Sequence, residues 1–145
     1  MEYRKGSHTI FNLQYHLVWV TKYRYHVLTG EVKLRTREII RQVCMRHELY
    51  IQKDHVSKDH VHLLVSSPPH ISVSETMQKI KERSSRMLQQ EFPHLGKRYW
   101  GQPLWARGYF ALIVGQVTEQ MISDYIELKS QEFEAVMPPK TWREM

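Results

Sequence analysis

Two histidines separated by one hydrophobic residue are the sharpest chemical feature of this sequence, and they lie in the segment Asp59-His60-Val61-His62-Leu63-Leu64-Val65. Side chains alternate between the two faces of a β-strand, so His60 and His62 would project together while Val61, Leu63 and Val65 enter a core. Two imidazoles on one flat face can bind a divalent metal ion. The alternative is two ordinary surface histidines, because nine histidines in 145 residues give roughly 0.5 such pairs by chance.

A tyrosine near the C-terminus is the second feature. Tyr125 lies among apolar residues at helical spacing, namely Met121, Ile122, Ile126 and Phe133. A tyrosine in such a pattern usually faces a core. To act as a nucleophile it would need activation, since a phenol has a pKa near 10, and a metal that polarises a target phosphate would provide it. Both interpretations stay open on these residues alone.

Basic side chains form two groups. Lys79, Arg83 and Arg86 are spaced four and three residues apart, so they share one face of a helix. Such a stripe suits phosphate contacts, although a solvated charged face is equally common. The segment Lys22-Tyr23-Arg24-Tyr25-His26 mixes cations with aromatic rings, a mixture that can grip the backbone and stack the bases of a single strand.

The distribution of charge supports a polyanionic partner. Residues 1–117 carry 18 basic and 9 acidic side chains, a balance of +9, whereas residues 118–145 carry 3 and 6, a balance of −3. A basic body of this kind suits a nucleic-acid partner, although many soluble bacterial-type domains are modestly basic without one. The length of 145 residues suits one domain.

Cysteine usage and hydropathy indicate the compartment. The one cysteine, Cys44, excludes an internal disulfide and any multi-cysteine zinc site, so we expect a reducing, cytoplasmic setting. The longest apolar run has six residues, Tyr109 to Val114, far short of the roughly 18 of a membrane span, and the first residues lead into no signal-peptide core.

The elements that position these residues follow the order β-α-β-β-α-β, with one further helix. The patterns predict strands over 12–22, 50–57, 60–66 and 108–114, the last of them buried, and helices near 31–48, from Ser72 or Ser74 to Pro93, and from a Thr118 cap to about Val136. Residues 94–107 are expected to form an irregular loop. This order is that of a ferredoxin-like α+β fold, an antiparallel four-stranded sheet with two helices on one face. Its other face is left for a ligand, a partner or the last helix.

Several collinear stretches together resemble the single-strand DNA transposases of the insertion-sequence 200/605 family, which carry a His-hydrophobic-His (HUH) motif and one catalytic tyrosine. The resemblance runs from about Tyr15 to Glu127 and implies a single HUH endonuclease-like domain over 1–145. The stretches are Tyr15-His16-Leu17-Val18-Trp19, Lys22-Tyr23-Arg24, Lys58-Asp59-His60-Val61-His62-Leu63-Leu64, Lys81-Glu82-Arg83-Ser84-Ser85-Arg86, Leu104-Trp105, Gly108-Tyr109-Phe110, Val114-Gly115 and Tyr125-Ile126-Glu127. The set is far more specific than any one motif.

The resemblance implies a chemistry for the two features above. His60 and His62 would hold Mg²⁺ or Mn²⁺, and Tyr125 would attack a DNA phosphate to form a 5′-phosphotyrosine link. The resemblance further implies single-stranded DNA with hairpins as the partner, and a homodimer in which the tyrosine helix of one subunit serves the histidine pair of the other. We expect the two basic groups to contact that DNA: Lys22, Arg24, Lys79, Arg83 and Arg86.

One position departs from the family's pattern. Four residues after the tyrosine, where the family has a metal-binding glutamine, this chain has Lys129, whose ammonium cannot ligate a metal. Gln131 and Glu127 lie roughly 240° and 200° around the helix from Tyr125, so neither substitutes for it. Three alternatives follow. The metal is held by the histidines, water and DNA oxygens alone, or Lys129 contacts the scissile phosphate, or cleavage is weakened or lost.

The sequence therefore predicts a DNA strand transferase that mobilises a short insertion sequence as single-stranded DNA. One alternative is a domesticated REP-associated relative that acts on chromosomal hairpins. Another is a cleavage-deficient protein that only binds hairpin DNA. RNA binding through the sheet is disfavoured, because the sequence has no RNP1-type segment with alternating aromatic residues.

Overall fold

A computed structural model describes residues 4–5, 10–11, 13–114 and 119–136. In chain order the elements are β1 (Arg4–Lys5), β2 (Ile10–Phe11), β3 (Leu13–Val20), a 3-10 turn (Lys22–Arg24), α1 (Gly30–Arg46), β4 (Tyr50–Val56), β5 (His60–Ser67), α2 (Val73–Glu91), α3 (Pro93–Tyr99), β6 (Phe110–Ile113) and α4 (Glu119–Val136). Within the described ranges none of the helices is long and apolar enough to cross a bilayer.

The main sheet has four strands in the order β4-β5-β3-β6, and every neighbouring pair is antiparallel. The central pair runs in register from Leu13 opposite Ser67 to Val20 opposite His60. The two outer strands are the second and fourth of the β-α-β-β-α-β order, which is the split arrangement of a ferredoxin-like sheet. The predicted α+β fold is confirmed, and β1 pairs with β2 in a separate two-stranded sheet.

One face of the main sheet forms the hydrophobic core beneath α1 and α2. Leu17 and Trp19 from β3 and Val61, Leu63 and Val65 from β5 are all fully buried there. Along β5 the buried residues alternate with half-buried ones, as the period-2 pattern predicts. Along β3 the intervening Val18 is also fully buried, on the opposite face of the sheet. The register of the strand that carries the two histidines is therefore fixed by its buried residues Val61, Leu63 and Val65.

The single cysteine belongs to the same core. Cys44 lies on the buried stripe of α1 and is a free thiol. Burial raises the pKa of the Cys44 thiol to about 12. Cys44 therefore packs as a small core residue.

The structure corrects two of the predicted elements. Residues 93–99 form α3 instead of an irregular loop, because Pro93 ends one helix and also stands at the start of the next, where its missing N–H costs no hydrogen bond. The last strand, predicted to be buried over 108–114, is only four residues long and has one hydrogen-bonded neighbour, so Ile113 is 51% exposed. The Ser72 cap of α2 is confirmed, since its hydroxyl accepts from the Glu75 N–H at 3.2 Å. The predicted Thr118 cap lies outside the described residues.

Four polar side chains of α2 anchor the connection between α3 and β6. Gln89 donates to the Gln102 carbonyl (2.9 Å), Ser85 Oγ accepts from the Leu104 N–H (2.9 Å), Ser84 Oγ accepts from Trp105 Nε1 (2.8 Å), and Lys81 Nζ donates to the carbonyls of Ala106 (2.7 Å) and Gly108 (2.8 Å). The same connection is bonded to the end of β3, where the Ala106 N–H donates to the Val20 carbonyl at 2.9 Å. A segment with little regular structure is thus held from two sides.

The last helix covers the other face of the main sheet. Residues of α4 at three- and four-residue spacing are half-buried: Ile122, Tyr125, Ile126, Lys129, Ser130 and Phe133. This stripe packs mainly against β3, β6 and the 3-10 turn. Of the three occupants that the sequence left open for this face, the structure places the last helix there.

Candidate functional site

The tyrosine and the histidine pair lie on the same face of the sheet. Val18 on β3 is paired with His62 on one side and with Phe110 on the other, so these three residues form a row across the sheet. The Tyr125 ring packs against Phe110 with a centroid distance of 5.5 Å. Neighbouring strands are about 4.8 Å apart, so Phe110 and His62 are separated by about 10 Å. The structure therefore brings together the two features that the sequence singled out separately.

His60 is held by a buried carboxylate. Its Nδ1 lies 2.9 Å from Asp59 Oδ1, and the other carboxylate oxygen accepts from Nε (2.9 Å) and Nη2 (2.7 Å) of Arg24. Burial alone would raise the pKa of Asp59, but hydrogen bonds from His60 and Arg24 outweigh it and lower that pKa to about 2. An ionised carboxylate on Nδ1 fixes the ring and leaves Nε2 for a ligand.

His62 has a second histidine beside it. The Nε2 of His62 lies 2.9 Å from the Nδ1 of His16 on β3, with ring centroids 5.1 Å apart. A hydrogen bond between two imidazoles requires that at least one of them is neutral. Burial lowers the pKa of His16, so this ring is the uncharged partner near neutral pH. Reasoning from the sequence missed His16 as a site residue because only the β3–β5 register places it there.

The ring nitrogens of His60 and His62 are candidate ligands for a divalent metal ion. Metal-ligating histidines usually donate their second ring nitrogen to a carboxylate, and His60 has this arrangement with Asp59. In the part of the chain that the structure describes, no group of three or more His, Cys, Asp or Glu side chains is placed to hold a metal ion. His60 and His62 thus fit as two ligands, and the remaining ligands would be water or phosphate oxygens.

The hydroxyl of Tyr125 is buried and has no hydrogen-bond partner among the described residues. Burial, with a smaller contribution from the charge of Glu132, raises the pKa of Tyr125 to about 12. The phenol is therefore protonated near neutral pH. A buried, unsatisfied hydroxyl calls for an explanation, and a ligand that meets it on binding is one.

A strained turn joins the histidine side of the site to α4. Tyr23 and Arg24 both have left-handed backbone angles, with φ of 61° and 53°, which are costly for residues other than glycine. The turn aims Arg24 at Asp59 and at the hydroxyl of Ser130, and it packs Tyr23 edge-on against Phe133 at 5.8 Å. Arg24, expected to contact DNA, is thus already occupied in holding Asp59 and α4.

A cavity of about 1340 Å³ lies between α2, the anchored connection, the 3-10 turn and α4. Five cations line it, against two acidic residues: Lys22, Lys81, Arg86, Arg107 and Lys129 face Glu82 and Glu132. Aromatic side chains also reach it, namely Tyr23, Trp105, Tyr109 and Phe133. Cations around aromatic surfaces form the kind of site that holds the backbone and bases of a single strand.

The basic stripe of α2 opens on a different groove. Lys79, Arg83 and Arg86 line about 270 Å³ together with Arg46 at the end of α1 and the adjoining His47, and Glu82 is the acidic residue among them. No described acidic residue forms an ion pair with any of the four lysine and arginine side chains there. By contrast, three other arginines of α1 are paired: Arg35 with Glu38 and Glu91, and Arg37 and Arg41 with Asp54.

The structure therefore separates the two basic groups that the sequence predicted as DNA contacts. Lys22 faces the large cavity, Lys79 and Arg83 face the groove between the helices, and Arg86 borders both. Their contact with DNA stays a prediction.

Comparison with known proteins places this arrangement among transposases. Residues 9–129 match the family described as IS200-like transposases. The chain is 35% identical over 127 residues to the ISDra2 transposase TnpA of Deinococcus radiodurans, an alignment covering 88% of this chain and 91% of that protein. It is 36% identical over 126 residues to the transposase for insertion sequence element IS200 of Salmonella typhimurium, covering 87% and 82%.

Two solved structures have a similar fold. One, described as a transposase of Deinococcus radiodurans, superposes with a TM-score of 0.80 at 35% identity and covers 87% of this chain and 97% of that one. The other, a REP-associated tyrosine transposase bound to a REP hairpin, has a TM-score of 0.57 at 16% identity and covers 88% and 67%. The second likeness concerns the fold alone.

Proposed function

This chain belongs to the family of IS200-like transposases, and from that premise we propose that it cleaves and rejoins single-stranded DNA at hairpin-bearing element ends through a 5′-phosphotyrosine intermediate. The observation that carries the proposal is the shared sheet face of Tyr125 and the His60–His62 pair.

In the proposed reaction Tyr125 is the nucleophile. Its Oη attacks the phosphorus of a phosphodiester, the bond from phosphorus to the 3′ oxygen breaks, and the phenolic proton is lost as the leaving oxygen becomes a 3′-hydroxyl. The phosphotyrosine link keeps the energy of the broken bond, so attack by a 3′-hydroxyl can reverse the step without ATP. The raised pKa of Tyr125 means that the proton must be removed during attack.

The histidines position the phosphate. His60 and His62 would hold Mg²⁺ or Mn²⁺, which when bound supplies Lewis acidity to the scissile phosphate. Asp59 orients the His60 ring through Nδ1, and Arg24 keeps that carboxylate in place. His16 beside His62 adds a further uncharged imidazole to the same face.

Hairpin DNA is the proposed partner. The REP-associated relative of the same fold is bound to a REP hairpin in its structure. The groove between α1 and α2 supports a DNA contact here, because its cations lack acidic partners among the described residues. We assign Lys79, Arg83 and Arg86 to this contact, and Lys22 to the strand near the large cavity. Arg24, which holds Asp59 and α4, receives a supporting role and no DNA contact.

A homodimer with shared active sites completes the proposal. In this structure α4 lies on the sheet of its own chain, so Tyr125 meets its own Phe110. The outward face of α4 exposes Met121 and Leu128. We propose that in the dimer the same packing of helix on sheet forms between subunits, so that Tyr125 lies on the sheet face that carries the histidine pair of the other subunit.

Covalent capture tests the chemistry. We expect the protein, incubated with labelled hairpin-bearing single strands and Mn²⁺, to give a protein–DNA adduct on a denaturing gel. The adduct should be absent with EDTA and absent in Tyr125→Phe, which keeps the ring and removes the attacking oxygen. Adducts that persist in Tyr125→Phe would remove this tyrosine from the mechanism.

Mixing two defective chains tests the shared site. A dimer of one Tyr125→Phe chain and one His60→Ala chain has one composite site with both defects and one with neither, if the tyrosine works in trans. Cleavage should then partly return. If subunit exchange is verified and no cleavage returns, the site is built within one chain.

Two alternatives remain distinct from this proposal. Lys129 favours a cleavage-deficient hairpin-binding protein, which would bind the same strands tightly and never form an adduct. The fold likeness to the REP-associated transposase supports a domesticated relative acting on chromosomal hairpins, which would form adducts with those hairpins in place of element ends.

A further inference from the structure

Two lysine side chains reach the large cavity from different walls. Lys81 comes from α2, and Lys129 comes from α4 one turn beyond Tyr125. Both side chains line the same cavity, and the pKa of Lys81 is lowered to about 8 by burial and, to a smaller extent, by the positive charge of Lys129. Two neighbouring ammonium groups repel each other, so an anion between them would relieve an unfavourable arrangement.

The positive charge of Lys129 is only weakly compensated by its ion pair. Its side chain is only 16% exposed, and its carboxylate partner is Glu132, at 3.0 Å and 54% exposed. An ion pair three residues apart on a helix with a solvated partner stabilises little. One of the three N–H donors of Lys129 is used by this contact, which leaves two.

Lys81 is held in place by neutral groups. Its Nζ donates to the carbonyls of Ala106 and Gly108, and no acidic residue in the described part of the chain pairs with it. These two bonds leave one N–H donor, so the two lysines together retain three. The anchored connection thereby fixes a positive charge on the wall that faces α4.

We propose that Lys81 and Lys129, which face one cavity when α4 lies on the sheet, form a seat for one phosphodiester of the single-stranded DNA, beside the phosphate that Tyr125 attacks. When α4 lies on the sheet of the other subunit, the same seat forms between the two subunits. This rests on the proposed function, which supplies the DNA. Tyr125 and Lys129 are about 6 Å apart along the helix axis, a length that one or two nucleotides span at a rise of about 3.4 Å each. On this view the lysine at the position of the family's glutamine binds DNA charge directly and is not a failed metal ligand.

Binding without metal tests the seat. In a Tyr125→Phe background with EDTA, the affinity for a fluorescein-labelled oligothymidylate of roughly 20 nucleotides is measured by anisotropy across a salt series. Lys129→Gln should weaken binding several-fold and lower the slope of log K against log salt by about 0.7, the value of one single-strand phosphate contact. Lys129→Arg should retain both. Lys53→Gln, an exposed lysine on the edge strand β4, is the matched control and should change neither.

A double-mutant cycle tests whether the two lysines share one phosphate. The losses from Lys81→Gln and Lys129→Gln should then be non-additive, with thermal melting of each variant as the check on folding. Additive losses would place them on separate phosphates and overturn the shared seat. Unchanged affinity and slope in Lys129→Gln would overturn it outright.

Adduct formation by the parent chain separates this proposal from the proposed function. Adducts together with unaltered binding in Lys129→Gln would refute the seat alone. A lowered salt slope without any adduct in the parent would refute cleavage alone. If Lys129→Gln binds as the parent does in EDTA but forms more adduct with Mn²⁺, the position acts at the metal and the seat is wrong.

Discussion

The two faces of the main sheet differ in the polarity of the side chains that they bury. Under α1 and α2 the face is apolar and closed, with Leu17, Trp19 and Leu63 fully buried. Under α4 the face keeps paired imidazoles and a buried phenol without a hydrogen-bond partner in the described residues. One face stabilises the fold, and the other retains polar groups that stabilise little by themselves. The strand β5 contributes alternate residues to both faces. Substitutions at neighbouring positions on this strand should therefore affect either stability or the reaction.

The largest effect should come from removing the two imidazoles of β5. We expect His60→Ala combined with His62→Ala to lower Mn²⁺-dependent adduct formation at least about a hundredfold, since a bound metal supplies several kcal/mol to such a reaction. The free energy of unfolding should change by less than about 1 kcal/mol, because neither side chain is in the core. Adduct yields and urea melts measure the two quantities. If the double variant cuts as well as the parent, the metal site is elsewhere.

The core face should respond in the opposite way. Leu63→Ala, on the same strand and one residue from His62, should lower the free energy of unfolding by about 2–5 kcal/mol through lost burial and the cavity left behind. Adduct formation per folded molecule should be retained. Urea melts with an activity assay below the transition check both. A cost under 1 kcal/mol would contradict the assignment of this face to the core.

A substitution of Asp59 tests the carboxylate that holds His60 on the sheet face under α4. Its pKa is lowered from 3.8 to about 2, so its ionised form stabilises the fold by roughly 2 kcal/mol above about pH 4, and this contribution is lost as the pH falls toward 2. In EDTA, Asp59→Asn should therefore be less stable than the parent by about that amount at pH 7, with the difference narrowing below pH 4. Denaturant melts at several pH values measure it. A difference that does not depend on pH would contradict the ion pair with Arg24.

The smallest effect is the change in the free energy of unfolding when the proposed nucleophile, Tyr125, is replaced. The Tyr125 hydroxyl is buried without a partner among the described residues, so Tyr125→Phe should raise the free energy of unfolding by up to about 1 kcal/mol. Thermal melting of the metal-free protein measures this. A loss of more than 1 kcal/mol would show that the hydroxyl makes a stabilising hydrogen bond.

Local patterns predicted most of the elements because the chain is locally consistent. The alternation around His60 and His62 and the helical spacing of Tyr125 both correspond to what the structure shows. The exceptions have identifiable causes. Pro93 signals both an end and a beginning, and the apolar run near Ile113 does not reveal that its strand lies at an edge.

The contacts that complete the candidate site were beyond the reach of the sequence. His16 meets His62, and Arg24 meets Asp59, only through the register of β3 with β5 and a left-handed turn. Lys81 and Lys129 line one cavity only because of how α4 lies across the sheet. Spacing along the chain contains no information on such packing, so only the folded structure shows which side chains contact each functional residue.

The one thiol of the chain can report how often the helical layer opens, because its rate of chemical modification depends on that opening. Cys44 lies 1% exposed inside the helical layer, and burial raises its pKa to about 12, so a thiol reagent meets almost no reactive sulfur in the folded state. Modification must wait for α1 to separate from the sheet, and its rate then reports how often that happens. Since α1 also borders the basic groove, a ligand that bridges α1 and α2 there should slow the modification of Cys44. The measurement needs no substitution in the protein.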